Sequence, residues 1–283
     1  MKQRKIKGYQ VKRYLTEAVS NFFKLAVCIA FTFPFYWMLI TSFKTFDESM
    51  LFPPTLWPKE FTFNAVVKVL SELEWGIYLK NTVIIITSIM VLELLVMVPA
   101  AYAFAKYKFK GSGLLFALVM GAFVVPGQLK FISIYIMFSK ARLIDSLIPQ
   151  IVPAIANAGG IFLLRQTFRQ VPEEMIESAR LDGAGEFKIM RKIMLPMAKS
   201  SLATILLTSF IGNWNAYFWP LVMTNSEKYR PITFAIAKLK ELEGATNWPI
   251  VMAGTMVLVI PTVIVFIVFS KHILNSMKYQ GIK

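Results

Sequence analysis

The side chains best suited to binding a small polar solute lie close together in the stretch SFIGNWNAYFWPL, residues 209–221. Amide groups exchange hydrogen bonds with hydroxyls, and aromatic rings stack on the apolar faces of sugar rings. The stretch supplies groups of both kinds, namely Asn213, Trp214, Asn215, Tyr217 and Trp219. A structural role is the alternative, since asparagines in membrane helices hydrogen-bond to neighbouring helices and aromatic residues collect at membrane interfaces.

A polar segment, residues 171–196, interrupts an otherwise apolar chain. Pro172 suits the first position of a helix, and the two glutamates after it are favoured there by the helix dipole. Gly183 predicts the end of this helix near Leu181, because glycine adopts the left-handed conformation that closes a helix. A second helix is expected from about Gly185. The first helix would present apolar residues on one side and acidic residues on another, an arrangement that suits docking on a partner. An ordinary polar loop is the alternative.

The spacing of residues in this segment resembles the EAA signature of ABC importer permeases, with serine in place of the first alanine. The residues that carry the signature are Glu177, Ser178, Ala179, Gly183, Ile193, Leu195 and Pro196. The longer stretch EEMIESARLDGAGEFKIMRKIMLP is similar to the carbohydrate-uptake subfamily of maltose-type, binding-protein-dependent inner-membrane permeases. The string AYAFAKYKFKG and the WN and WPL elements also match that family, so the resemblance covers most of the chain.

This resemblance implies that residues 171–196 contain a coupling helix that sits in a cleft of a separate cytoplasmic ATPase. The residues expected to form the contact are Glu174, Glu177, Ser178, Ala179, Arg180, Asp182, Gly183, Ile193, Leu195 and Pro196. The implied partners are a second, different permease, two copies of the ATPase and an extracytoplasmic sugar-binding protein. This chain would be the smaller of the two permeases. ATP and Mg²⁺ would bind to the ATPase, so no cofactor is expected in this chain.

Composition independently indicates a membrane protein. Hydrophobic residues make up 56% of the 283 residues, and the formal net charge is +15. Nucleic-acid binding is excluded as the reason for this charge, because the basic residues form short patches between apolar runs of membrane-spanning length. The single cysteine, Cys28, lies inside an apolar run and indicates neither a disulfide nor a metal site.

Six apolar runs predict an all-α membrane protein, which by resemblance is a type I importer permease. The predicted spans are residues 25–42, 82–104, 113–138, 147–164, 201–223 and 250–270. Residues 1–24 would form a basic cytoplasmic flank, and residues 25–283 the permease domain. Of the 31 lysines and arginines, 20 fall on the side of the termini, which predicts that both termini are cytoplasmic. The expected location is the plasma membrane of a bacterium or archaeon.

Further candidate residues come from single positions. In the family, the break that Pro126 predicts in the third run lies toward the outer side of the pathway, so Gln128 is a pathway candidate, as is Asn157 in the fourth run. Glu93 lies in the second run, where a carboxylate is costly, and both a functional and a structural role stay open. In the family an outer loop before the last span contacts the binding protein. The candidates there are Leu242, Glu243, Gly244, Asn247 and Trp248, with a purely connecting loop as the alternative.

Catalytic motifs are missing from the sequence. It contains no phosphate loop of the form GxxxxGK[ST], no nucleophile with a base and no cluster of metal ligands. We therefore expect a non-catalytic permease subunit of an ATP-driven, binding-protein-dependent sugar importer. A permease of the same class for a non-sugar solute such as glycerol phosphate is the first alternative. A secondary transporter, which works without an ATPase, is the second.

Overall fold

The structure is a computed structural model in which the chain is described for residues 2–241 and 246–280. Those residues form fifteen α-helices and no β-strand. In chain order the helices are α1 (Lys2–Thr41), α2 (Phe46–Ser49), α3 (Asn64–Glu72), α4 (Trp75–Lys106), α5 (Ser112–Val124), α6 (Gly127–Lys140), α7 (Ile148–Ile151), α8 (Ala158–Arg169), α9 (Glu173–Leu181), α10 (Glu186–Ile189), α11 (Leu195–Met197), α12 (Lys199–Trp214), α13 (Phe218–Met223), α14 (Ile232–Glu241) and α15 (Trp248–Gln280).

Several of these helices are suited to crossing a membrane. Four stretches are long and apolar enough on their own: Thr16–Thr41, Trp75–Lys106, Ile148–Arg169 and Trp248–Ser270. Two bent pairs raise the number to six among the described residues: α5 with α6, bent by 97°, and Glu186–Met197 with α12, bent by 81°. In the second pair the apolar part is α12, because Glu186–Met197 carries four charged residues. The predicted all-α, multi-span fold is thus confirmed.

One compact unit comprises Met1–Glu72 with Leu239–Val257. Its loop after α1 is organised by Glu48, which is buried and accepts hydrogen bonds from Thr55 Oγ1 at 2.6 Å and from the Lys59 N–H at 2.9 Å. Burial alone would raise the pKa of this carboxyl, but these hydrogen bonds hold the pKa below its ordinary value. Lys44 donates to the Thr55 carbonyl and lies 4.5 Å from the centre of the Trp37 ring. The loop is therefore held by specific polar contacts.

The other unit, Leu73–Lys238 with Leu258–Lys283, is built around one apolar core. The core residues come from α4, α8, the polar segment and α12, and they are Met97, Val98, Ala101, Tyr102, Ile161, Leu164, Phe168, Val171, Ile176, Ile189, Met194, Ala198 and Ile205. Burial of this many apolar side chains is the main favourable term in holding the elements together. The polar segment is therefore anchored on the apolar helices.

A π-helical turn, Met190–Met194, connects α10 to α11 within this core. It allows Ile189 and Met194, five residues apart, both to be fully buried. In an ordinary α-helix, residues at that spacing point in directions about 140° apart. The apolar periodicity of the sequence did not predict this turn.

The third apolar run is divided where the sequence predicts it. Helix α5 ends at Val124, α6 begins at Gly127, and Pro126 lies between them in an extended conformation. Proline lacks the N–H that a continuous helix would need there. The break leaves the beginning of α6 without a capping side chain.

The prediction of one helix over residues 201–223 is corrected by the structure. Three residues separate α12 from α13. A continuous helix would press the ring of Pro220 against the carbonyl of Ala216 and leave that carbonyl without an N–H donor. The Ala216 carbonyl instead accepts a hydrogen bond from Thr233 Oγ1 at 2.8 Å. The helix therefore ends where the Thr233 hydroxyl replaces the N–H donor that the Ala216 carbonyl would lack.

The remaining helices match the predicted spans in position and differ in length. Helices α1 and α15 extend well beyond the predicted residues 25–42 and 250–270. Pro34 and Pro261 lie inside continuous helical stretches. Residues 224–248, predicted as a loop, contain α14.

We expect the substitution Gly160→Ala to lower the thermal stability of the purified chain in detergent. A Cβ atom on Gly160 would lie 2.5 Å from Met97 Sδ and 3.0 Å from Asn157 Cγ, so fully packed side chains must move. Overpacking of this kind costs about 1–3 kcal/mol. Thermal unfolding followed by circular dichroism measures the change.

Gly212→Ala on α12 is the matched control, because no atom beyond the neighbouring residues and the backbone of its own helix lies within 4 Å of its Cβ position. We expect this variant to be unchanged or stabilised by up to about 1 kcal/mol, since alanine favours a helix more than glycine does. Equal losses in the two variants would contradict the packing argument.

Candidate functional site

A cavity of about 620 Å³ lies within the second unit, which comprises Leu73–Lys238 and Leu258–Lys283. Its walls come from α4, the two sides of the break between α5 and α6, the segment between α7 and α8, and the chain between α12 and α14. Most of the lining side chains are apolar, and polar groups are few. The volume and the composition are those of a site for a small molecule.

Four of the seven predicted pathway residues line this cavity: Gln128, Asn157, Asn213 and Trp219. They come from the beginning of α6, the N-cap of α8, α12 and α13. The indole N–H of Trp219 donates to the Pro149 carbonyl at 2.6 Å, which fixes the orientation of the ring. The arrangement offers amides and one aromatic ring to a solute.

The other three predicted pathway residues do not line the cavity. Trp214 is buried, and its indole N–H donates to the Leu258 carbonyl at 2.9 Å. Asn215 is exposed and donates to the Ile211 carbonyl at the end of α12. Tyr217 packs against Phe234 with ring centres 5.3 Å apart. In this structure these three side chains contribute to packing and to a helix end.

The Glu93 carboxylate is the centre of a polar network beside the cavity. This side chain is 1% exposed. One of its oxygens accepts from the Asn157 amide, and the other accepts from the Ser209 hydroxyl at 2.6 Å. Asn157 Oδ1 in turn accepts from the Gly160 N–H at 2.7 Å, and Asn213 Nδ2 donates to the Ser209 carbonyl at 2.8 Å. The network joins α4, α8 and α12 and orients two of the amides that line the cavity.

The polar segment lies elsewhere in this unit and begins with α9. Pro172 has a ψ of 138° and precedes the helix, so the prediction that it occupies the first helical position is corrected. Lys106, at the end of α4, donates to the Val171 carbonyl at 2.7 Å and pairs with Glu173 at 3.1 Å. After α9, Gly183 has a φ of +74°, the left-handed conformation that the sequence predicts.

The predicted coupling residues divide between surface and core. Those that are exposed are Glu174, Glu177, Ser178, Arg180, Asp182, Gly183 and Pro196. Those that are half-buried against the core are Ala179, Ile193 and Leu195. Ile176 is fully buried and Met175 is 45% exposed. Ile176 is therefore the one fully buried side chain of α9, and most of the surface of this helix is available to another molecule.

A second polar network fixes the turn between α9 and α10. Arg180 Nε donates to Glu186 Oε1 at 2.9 Å, and the Tyr102 hydroxyl donates to Glu186 Oε2 at 2.6 Å. The hydrogen bond from Arg180, followed by that from Tyr102, lowers the pKa of Glu186 to about 2. The carboxylate thus stays ionised across the neutral range, and the network ties the turn to α4.

Sequence reasoning missed two apolar residues of this segment. Leu181 is 89% exposed and Phe187 is 70% exposed. Helical periodicity gave no signal for them, because they lie on either side of the turn at Gly183. Both side chains lie among charged residues on the surface of this segment.

The docking candidates before the last span are only partly covered by the described residues. Leu242, Glu243 and Gly244 lie outside them. Trp248 begins α15 and is 43% exposed, and Asn247 Oδ1 accepts from the Ile250 N–H at 3.4 Å. Within the described part of the chain, no group of three or more histidines, cysteines or carboxylates could hold a metal ion.

Residues 96–278 match the family described as binding-protein-dependent transport system inner membrane component. The arabinooligosaccharide transport system permease protein of Halalkalibacterium halodurans is 31% identical over 255 residues, which cover 89% of this chain and 91% of that protein. The sn-glycerol-3-phosphate transport system permease protein of Brucella abortus is 25% identical over 279 residues, covering 94% and 97%.

The fold is also similar to that of solved structures. A chain from a bacterial ABC transporter involved in the import of the acidic polysaccharide alginate matches with a TM-score of 0.79 and 25% identity, over 90% of this chain and 95% of that one. A bacterial alginate ABC transporter in complex with its alginate pentasaccharide-bound periplasmic protein matches with a TM-score of 0.54 and 16% identity, over 96% and 97%. The second match shows a likeness of fold alone.

We expect Glu93→Leu to destabilise the chain, because it removes both acceptors from the network around Asn157 and Ser209. Buried donors left without a partner cost about 1–3 kcal/mol. Glu93→Gln is the matched control, since its amide offers one acceptor and one donor of the same size and the serine hydroxyl can reverse its role. The melting temperature in detergent should fall clearly for leucine and only slightly for glutamine. Equal falls would show that charge, and not hydrogen bonding, is what the site requires.

Proposed function

Because the chain belongs to the family of binding-protein-dependent transport system inner membrane components, we propose that it is a permease subunit of an ATP-driven sugar importer. One observation carries the proposal. A segment with the spacing of the EAA signature packs into the same core as α4 and α8, two of the elements around the cavity. The proposed ATPase surface and the cavity would thus be connected through one set of helices.

The cavity suits a carbohydrate in its chemistry. Asn157 and Asn213 are held by hydrogen bonds, and Trp219 presents a fixed ring. Preorganised amides and a ring are the groups that bind hydroxyls and the apolar faces of sugars. The relative from Halalkalibacterium halodurans, named for arabinooligosaccharides, supports an oligosaccharide.

The mechanism requires two states of the pathway, open to either side of the membrane, whose balance is changed by partners that bind one state better. We assign the exposed surface of α9 and of the turn after it to the ATPase. Closure of two ATPase subunits around ATP and Mg²⁺ would displace α9, and Ile176 would carry the displacement into the core. This chain would change conformation and select the solute, and ATP would be hydrolysed by the partner ATPase.

The proposed assembly contains this chain, a second and different permease, two ATPase subunits and an extracytoplasmic sugar-binding protein. The binding protein would dock near residues 242–248. The chain is a multi-pass membrane protein, and we place both termini in the cytoplasm of a bacterium or archaeon, on the basis of the distribution of lysine and arginine. A glycerol phosphate permease remains the second candidate, since the relative from Brucella abortus covers nearly the whole chain.

The test of this proposal is Glu177→Ala in the complete transporter reconstituted in proteoliposomes. Glu177 is exposed on α9, and we expect its carboxylate to make a charged hydrogen bond to the ATPase. Loss of such a bond costs about 1.5–3 kcal/mol. Uptake of arabinotriose should therefore fall about tenfold or more, while the complex still assembles. ATP hydrolysis and uptake are measured in the same vesicles.

Glu60→Ala is the control, because it removes an exposed carboxylate from a different loop and should leave uptake unchanged. Wild-type uptake in Glu177→Ala would remove the coupling role of this residue. Uptake that persists without ATP, or a chain that does not co-purify with a nucleotide-binding subunit, would favour the secondary transporter instead.

A further inference from the structure

The loop after α1 exposes many large apolar side chains. We call its residues 50–63 the aromatic loop. The exposed members are Met50, Leu51, Phe52, Leu56, Trp57, Phe61 and Phe63. Phe52 is 96% exposed, and residues 50–58 contain no charged side chain. Exposed apolar surface of this extent marks a site that contacts another molecule or a membrane.

Ring contacts give the aromatic loop a defined shape. Phe43 stacks on Phe61 with ring centres 4.7 Å apart, and it meets Phe63 edge-on at 5.3 Å. Trp57 lies 6.3 Å from Phe61. Together with the hydrogen bonds of Glu48, these contacts hold the loop in one conformation. Its outer apolar side chains are therefore presented by an ordered element.

The aromatic loop folds back along α1. The Tyr36 hydroxyl donates to the Leu56 carbonyl at 2.6 Å, and Lys44 donates to the Thr55 carbonyl. Tyr36 lies five residues before Thr41, the end of the candidate span, which is about 7.5 Å along the helix. Side chains of a helix lean toward its N-terminus. Leu56 therefore lies beside the span, below its end.

This depth is that of the membrane interface. The span Thr16–Thr41 has 26 residues, so its length is about 39 Å. The hydrocarbon core of a bilayer is about 30 Å thick, which leaves about 4–5 Å at each end of a centred span. Leu56 is thus placed near the boundary between headgroups and hydrocarbon.

The residue types suit this boundary. Aromatic side chains collect at the interface between membrane and water. The last turns of α1 bring further rings to the neighbourhood of the loop. Phe33 lies 6.2 Å from Tyr36 and 6.1 Å from Trp37. The loop and the end of α1 together form a band of aromatic side chains.

The backbone of the loop also makes few demands on water. Three of its residues carry no N–H to be satisfied: Pro53, Pro54 and Pro58. The carbonyls of Thr55 and Leu56 accept from Lys44 and Tyr36. Backbone groups that find their partners within the protein are what a membrane environment requires.

We propose that the aromatic loop inserts into the phospholipid interface and anchors the end of α1 there. The apolar surface of α1 continues into the loop, since Phe33, Phe35 and Leu39 are exposed as well. Lys59 and Glu60, both exposed, would reach the headgroups. This inference goes beyond the proposed function and depends only on α1 being a span.

The experiment is fluorescence quenching in the complete transporter, reconstituted in phosphatidylcholine nanodiscs with cysteine-free partner subunits. Cys28 is the only cysteine of this chain, so Cys28→Ser provides a background for one label at Phe52→Cys or at Leu56→Cys. The quenchers are iodide in the water and a lipid nitroxide placed either near the headgroup or near the end of the acyl chain.

We expect the nitroxide near the headgroup to quench both labels about twofold or more strongly than the deeper one, since interfacial side chains reach about 5–10 Å into this boundary. Iodide should quench them little. A label at Asp47→Cys, an exposed polar position in the same loop, is the matched control. Iodide should quench that label strongly.

A pair of substitutions tests the role of the aromatic surface. Trp57→Asp, in the chain labelled at position 52, should lose the quenching by lipid and gain quenching by iodide, because a charge replaces a ring. Trp57→Tyr should retain the quenching by lipid, since tyrosine also favours the interface. Equal melting temperatures of the two variants show that the fold is kept.

Iodide quenching at positions 52 and 56 as strong as at position 47 would place the loop in water and overturn the inference. Protection from both iodide and lipid would overturn it as well, because a protein would then cover the loop. Repeating the measurement without the binding protein identifies that protein. Iodide quenching that then appears indicates the binding protein, and protection that persists indicates the second permease.

Discussion

The lack of water in the interior of a membrane is the constraint on which the second unit depends, because every polar group there must find its partner within the protein. Glu93 meets this constraint through Asn157 and Ser209. These residues come from α4, the cap of α8 and α12, so a shift of any one helix would leave an oxygen or a donor unpaired. The apolar core supplies non-directional free energy, and the network adds the directional contacts that fix how the helices are placed.

The same helices support the polar segment and form walls of the cavity. Ile176, Ile189 and Met194 of the polar segment are buried together with side chains of α4 and α8, while α4 and the cap of α8 also form walls of the cavity. Closely packed interiors are hardly compressible and transmit displacement. The contacts that Lys106 and Tyr102 make with the polar segment add polar links along the same route. Packed helices thus connect the proposed coupling surface to the cavity.

Local features could be predicted from the sequence, and features that depend on distant residues could not. The break at Pro126 and the left-handed Gly183 follow from the backbone preferences of single residues. The partners of Glu93 lie 64 and 116 positions away, which no local pattern reveals. The predicted sugar-binding stretch mixed both cases. Asn213 and Trp219 line the cavity, whereas the ring of Trp214 is buried. Helix α12 ends at Trp214, and the Ala216 carbonyl that follows accepts a hydrogen bond from the distant Thr233.

The π-helical turn at Met190–Met194 makes the length of the chain critical at this point. The turn contains one residue more than an α-helical turn, and this extra residue lets Ile189 and Met194 share the core. Deleting it would restore ordinary helical winding and rotate everything downstream by about 100°. The Ser209 hydroxyl would then turn away from the Glu93 carboxylate to which it donates. One-residue deletions should accordingly be tolerated far better in the exposed turn between α4 and α5, residues 107–111, than within these five residues.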